Sequence, residues 1–270
     1  MSRLFTADYG NRNVNQWSRV QNKDLEVASR LWPSAGHYPN TVIVDDPDCG
    51  YVNRFEVRNG DIPAVVTTGE RSDVTGDADS YAAVGTTRWY ALSIKFDETF
   101  PTSHDTIGWD TITAWKGCKL SPYTEYGSQV IGFGWTLVDA GQNVDGKWHL
   151  MYSPQSAPLE FVNDYTQSIF DFPLNPGQWQ DIKLRVLWKQ DYSGTVQLWH
   201  NGERQTFNEN GGGGTTFTGQ TVCGGDPTGV MVHQGIYRQS GSGHGRVGTT
   251  GATEIITFKN FRMADSEAGL

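Results

Sequence analysis

Cysteine is nearly missing from this chain of 270 residues, with only Cys49, Cys118 and Cys223 present. They stand too far apart for a C-x-x-C metal site or a disulfide framework, so at most one pair bridges and one thiol is left over. Long apolar runs are missing too. No stretch approaches the roughly 18 apolar residues of a membrane span, and the opening residues 1–8, MSRLFTAD, lack the apolar core of a secretory signal. A soluble product without a conventional export route is expected, and no membrane partner. Positive charge is in deficit, with 21 Lys and Arg against 30 Asp and Glu for a net charge of −9. That balance argues against nucleic acid as a partner, and it means that an acidic ligand would need a local basic patch. Helix signals are few.

What the chain has is glycine (32 residues) and aromatic side chains (12%, ten of them Trp), which suit strands, tight turns and sugar-stacking surfaces. The length is enough for one large β-sandwich over residues 1–270 without a second domain. Alternation supports this. Tyr90, Leu92, Ile94 and Phe96 oppose Trp89, Ala91, Ser93 and Lys95, and Ile182, Leu184, Val186 and Trp188 oppose Lys183, Arg185, Leu187 and Lys189. Further strands are expected at 3–7, 41–44, 51–57, 69–74, 111–116, 129–137, 147–152, 168–172, 195–200, 203–207 and 254–263. Asn201-Gly202 is a type I′ hairpin signal. The turn at 117–119 is expected to end one strand, and the tail 264–270 to be loose. Asp45, Asp46 and Asp48 crowd one turn, where calcium is conceivable; the ligand spacing of a calcium loop is incomplete, and no other cofactor is expected.

The densest chemistry lies at 230–239. Along a strand there, Val230, Val232, Gln234 and Ile236 face one way, and Met231, His233, Gly235 and Tyr237 the other. Gly235 leaves a gap between His233 and Tyr237, whose Cα atoms stand about 13 Å apart at about 3.3 Å per residue. Such a slot suits a sugar ring. Upstream, Gly69-Glu70-Arg71-Ser72-Asp73 puts Arg71 and Asp73 on one face, where the carboxylate is placed to hold the arginine fork. Two glycine-rich segments, 208–214 and 240–251, read equally as lids or as linkers.

The 230–239 stretch resembles the Y-x-K-x-G-x-Y-x-Q strand of alginate lyases and their heparin and glucuronan lyase relatives, and 71–74 resembles their R-[ST]-E-[LV] motif. The resemblance implies an all-β jelly-roll sandwich of two antiparallel sheets, of the concanavalin-like kind, and β-elimination of a uronate-containing glycan. It implies Tyr237 as acid, His233 or Tyr237 as base, Arg71 and Lys116 on the sugar carboxylate, and Trp115, Trp199, Arg238 and Gln239 as substrate contacts. Three departures stand out: Asp73 replaces the Glu of R-[ST]-E-[LV], His233 occupies the usual Lys position, and Ala114 and Lys116 replace the Gln and His of the Q-[IV]-H strand. With GERS, W-H-N-G-x-R-Q-T-F and G-I-Y-R-Q, the chain is also similar to lyase-like proteins on the tails of phages that infect actinobacteria. That similarity implies a minor tail protein engaged in host recognition, located in the virion or extracellular after lysis. Its partners would be a polysaccharide or cell-surface glycan and other tail subunits. A catalytically inactive structural or receptor-binding tail protein is the alternative. A glycoside hydrolase is disfavoured, because no strand carries an E-x-D-x-x-E cluster.

Overall fold

The computed structural model describes residues 3–21, 26–28, 41–58, 60–62, 69–76, 78–102, 110–120, 123–134, 146–154, 166–223, 228–238 and 253–270. These form two antiparallel sheets packed face to face, with no α-helix among the described residues. The first sheet runs in the order β15 (Glu203–Arg204), β14 (Gly194–His200), β13 (Trp179–Leu187), β8 (Thr87–Phe96), β18 (Glu254–Ala264), β5 (Gly50–Val57) and β4 (Thr41–Asp46); β1 (Arg3–Asp8) joins β18 and β16 (Phe217–Gly219) joins β14. The second runs β12 (Gln167–Pro173), β11 (Lys147–Tyr152), β10 (Tyr123–Gly134), β9 (Asp110–Leu120), β17 (Gly229–Arg238), β6 (Glu70–Thr75), β2 (Arg19–Gln21) and β3 (Glu26–Ala28), with β7 (Ala82–Ala83) on β17.

Between the sheets lies an aromatic core. Alternation sends Tyr90, Leu92, Ile94 and Phe96 of β8 inward against Trp115 and Val232 of the facing sheet, all 2% exposed or less. Each buried aromatic removes roughly 150–250 Å² from water, so these side chains dominate the packing energy. Their polar atoms find partners: Trp188 Nε1 donates to Tyr90 Oη at 2.9 Å, and Trp148 Nε1 to Gln180 Oε1 at 3.2 Å. Burial pushes the Tyr9 phenol up to about 12, and its hydroxyl donates to Gln234 Oε1 at 3.1 Å.

Several local expectations are corrected. β9 does not turn at 117–119 but pairs with β10 through Leu120 and Tyr123. The return after the Asn201-Gly202 turn is short, because only Glu203 and Arg204 pair with β14; the turn itself has the positive φ of type I′ at both residues. The tail is not loose. Arg3 and Arg262 both donate to the Leu270 carbonyl, and Lys183 Nζ lies 2.5 Å from Glu267 Oε1. The 208–214 segment is pinned to β12 through Asn208 and Asn210 Nδ2, each 3.1 Å from Ser168 O. The second glycine-rich segment, 240–251, lies outside the described residues.

Candidate functional site

Two sequence motifs turn out to be one object. β17 and β6 pair in unbroken register, with His233 opposite Thr75, Gly235 opposite Asp73, Tyr237 opposite Arg71 and Arg238 opposite Glu70. Because faces alternate, Arg71, Asp73, Thr75, His233 and Tyr237 share the face that points away from the core. On the other flank of β17, β9 sets Lys116 opposite Met231, Ala114 opposite His233 and Thr111 opposite Tyr237. A shallow hollow, about 220 Å³ with the open solvent at its mouth included, lies on this face, lined by Asp73, Thr111, Lys116, His233, Gly235 and Tyr237 among others.

The two glycines of these motifs have steric causes. Gly69 has φ +79°, and a Cβ there would come within 2.3 Å of Tyr237 Cε2, so the tyrosine ring lies where a side chain would stand. Gly235 has φ +137°, and its Cβ would meet Ser72 O at 2.3 Å and Asp73 Cβ at 3.0 Å. A register shift between Gln234 and Tyr237 against β9 accompanies it, the mark of a β-bulge.

Tyr237 is flanked by two cations. The Arg71 guanidinium carbon lies 4.0 Å from the ring centroid and the Lys116 amine 5.2 Å. Arg71 Nη1 also donates to Gln21 Oε1 at 3.4 Å. Among the described residues no ion pair joins Arg71 to Asp73, so the expectation that this carboxylate holds the arginine fork is corrected; the ring and Gln21 position it instead. His233 is 5% exposed, and its Nδ1 is 3.3 Å from Thr75 Oγ1. Thr75 was missed in the sequence, although it continues the Arg71, Asp73 alternation by one step. Lys116 sits two residues from Ala114, which makes it the diagonal neighbour of His233, about 7–8 Å away between backbones. The amine and imidazole that departed from the family pattern therefore exchange places within one surface.

Three expected substrate contacts do not sit in this hollow. Trp115 is 1% exposed and packs in the core against Tyr90, with ring centroids 5.0 Å apart. The alternation that turns Ala114 and Lys116 outward turns Trp115 inward. Arg238 follows the same rule: as the neighbour of Tyr237 it points into the core, where it is 0% exposed, with Nε 2.7 Å from Glu70 Oε2 and Nη1 2.6 Å from Glu254 Oε1. Trp199 lies on the other sheet, half-buried beside Trp89 at 5.4 Å, with Lys183 Nζ 4.5 Å from its ring. Gln239 lies outside the described residues.

Arg238 centres a buried cluster of charged groups. Asp110, opposite Arg238 on β9, is 1% exposed, and burial, reinforced by the nearby Glu254 charge, raises its carboxyl well above the ordinary range. Glu70 also accepts from Gly60 N at 2.6 Å. A second carboxylate is held the other way. Asp171 accepts from buried His149, Nδ1 to Oδ1 2.9 Å, and that bond holds its carboxyl down to about 2. This pair is on β11 and β12, three and four strands from β17.

Among the described residues no group of three His, Cys, Asp or Glu gathers as a metal would require. At the turn considered for calcium, Asp46 is paired with Lys95 and accepts from Asp48 N at 3.0 Å. Neither Cys49 nor Cys223 forms a disulfide. No helix is long and apolar enough to cross a membrane among the described residues.

Comparison with known proteins adds the wider context. A family model described as polysaccharide lyase matches residues 11–259. An endo-β-1,4-glucuronan lyase of the fungus Trichoderma reesei superposes with a TM-score of 0.65 at 11% identity, covering 99% of this chain and 98% of that one. A family 7 alginate lyase, A1-II′, crystallised with its product, gives 0.60 at 13% identity over 96% and 99% of the two chains. An alginate lyase of Pseudomonas aeruginosa gives 0.53 at 12% identity over 93% and 98%. At such identities the superpositions establish the jelly-roll fold. No curated protein matches the chain.

Proposed function

Since the chain belongs to the polysaccharide lyase family, we propose that it binds a uronate-containing polysaccharide on the outward face of its second sheet and cleaves it by β-elimination. One observation carries this reading: Lys116, His233 and Tyr237 line one hollow on two adjacent strands, and Arg71 of the next strand packs on the Tyr237 ring. The reaction needs a group to neutralise the sugar carboxylate, a base for the C5 proton and an acid for the leaving oxygen. Arg71 and Lys116 serve the first need, as a local basic pair on a chain of net charge −9. With Nδ1 engaged by Thr75, the other imidazole nitrogen of His233 takes the C5 proton. The electron pair of the C5–H bond forms the C4=C5 double bond. The C4–O bond breaks, and the Tyr237 phenol supplies the proton that the departing oxygen needs. Negative charge arising on that phenol lies beside two cations, which stabilise it.

The test is incubation with a panel of uronate polymers, reading the absorbance of unsaturated ends. Wild type is expected to generate it, and Tyr237→Phe to lower the rate by at least about 10²-fold, the lower range for acid–base groups. A Tyr237→Phe enzyme as fast as wild type would overturn the assignment. A binder without chemistry is the second reading, favoured by Ala114, which puts a methyl group opposite His233 where the family pattern carries an amide. It predicts oligosaccharide binding with no new absorbance from any polymer.

We also infer that the protein acts as a phage tail component in host recognition, supported by the GERS, W-H-N-G-E-R-Q-T-F and G-I-Y-R-Q motifs. A tail subunit is expected to be symmetric or adaptor-bound. A sedimentation mass equal to one chain, unchanged on mixing with tail proteins, would count against it.

A further inference from the structure

Asp73 is left without a role by the reaction above, yet it lines the same hollow. It is 4% exposed, and its buried Oδ1 has no hydrogen-bond partner among the described residues. A buried carboxylate oxygen in that condition costs roughly 1–3 kcal/mol or more, so its persistence calls for a donor that arrives from outside. The surrounding backbone directs it. Asp73 is paired with Gly235, and a Cβ on that glycine would stand 3.0 Å from Asp73 Cβ, so the missing side chain is what lets the carboxyl occupy the hollow.

We propose that Asp73 is a specificity-determining residue that accepts a hydrogen bond from a free hydroxyl of the sugar held in the hollow. This rests on the uronate reading given above. A uronate residue carries one carboxylate and adjacent hydroxyls. Arg71 and Lys116 take the carboxylate, and Asp73, on the strand of Arg71 and two residues along, takes an O–H donor. A carboxylate accepts only, so a sugar whose hydroxyl is acetylated or sulfated offers it nothing and leaves the charge desolvated. The ligand class is therefore an unsubstituted polyuronate rather than an esterified or sulfated one.

The sign of one substitution separates this role from a merely unfavourable charge. Binding of an unsubstituted and an O-acetylated uronate oligosaccharide is measured by calorimetry in the Tyr237→Phe background, with and without Asp73→Asn. If Asp73 only repels an acidic ligand, Asn tightens both complexes. If it accepts a sugar hydroxyl, Asn, whose amide oxygen still accepts but carries no charge, weakens the unsubstituted complex by about 5-fold, the difference between a hydrogen bond to a charged group and one to a neutral group, and narrows its advantage over the acetylated one. Asp73→Ala, checked for its melting temperature, is expected to give the same narrowing. Unchanged or tighter binding of the unsubstituted oligosaccharide by Asp73→Asn overturns the assignment and leaves the lyase reading intact. Failure of both oligosaccharides to bind the Tyr237→Phe protein overturns both.

Discussion

Replacing Arg238 by Met tests the energetic centre of this fold. The guanidinium is 0% exposed and bridges Glu70 of the second sheet and Glu254 of the first at 2.7 and 2.6 Å, with Asp110 close by. Met keeps much of the volume but removes the charge that, among the described residues, pairs with both buried carboxylates. Breaking such a pair costs about 3–5 kcal/mol, a large share of the roughly 5–15 kcal/mol that holds a domain folded. The loss depends on pH. Arg238 also holds the Asp110 carboxyl below where burial and the Glu254 charge would otherwise push it, so in the variant Asp110 keeps its proton to higher pH and the folded state binds more protons than the unfolded chain above the ordinary carboxylate pKa of about 4. Stability then falls as pH rises through that window, and the deficit against wild type is larger at pH 8 than at pH 5.5. Urea unfolding followed by tryptophan fluorescence at both pH values measures it, provided the slope m is unchanged. Adding Glu70→Gln and Glu254→Gln should recover much of the loss, because no unpaired charge remains buried. A deficit below about 1 kcal/mol, or one equal at the two pH values, would refute the reasoning.

Gly235→Ala should destabilise the protein by at least about 2 kcal/mol, because φ is +137° and the new Cβ would meet the Ser72 carbonyl at 2.3 Å; a melting temperature within about 2 °C of wild type would contradict it. Asp171, held down to about 2 by His149, contributes stability that is present above the ordinary aspartate pKa and lost as pH falls from about 4 towards 2. With its side chain 35% exposed, solvent screening discounts that contribution to about 1 kcal/mol. His149→Ala should raise the Asp171 titration towards the ordinary range, with the Ser168 hydrogen bond and the Lys147 charge still holding it partly down, as followed by carboxyl NMR. An Asp171 midpoint still near 2 in that variant would show that the histidine is not the cause.

The sheet order was not legible in the sequence, but most strands were. Tyr90, Leu92, Ile94 and Phe96 announce a half-buried strand by period alone, and the same period placed Met231, His233, Gly235 and Tyr237 on one face. Pairing is non-local: nothing in residues 69–75 or 110–120 states that both flank 229–238, and only the family resemblance joined them. The misplaced contacts had a local remedy. Trp115 and Arg238 each neighbour an outward residue and so had to face the core, but an exposed sugar platform is what Trp and Arg suggest by residue type. Trp199 needed the sheet order, since a strand's face is legible in sequence but its sheet is not. Strands β2, β3, β7 and β16, of two or three residues each, are too short to show a period.

The exchange between Lys116 and His233 bears on how relatives of this chain are to be compared. Scored column by column in an alignment, the protein has forfeited an imidazole at one place and an amine at another, and would be set aside as degenerate. Scored by what a bound sugar would meet, both groups are still present, each moved to the adjacent lane of the same sheet. A search for relatives with the same chemistry should therefore ask which groups a face displays before asking which strand supplies them.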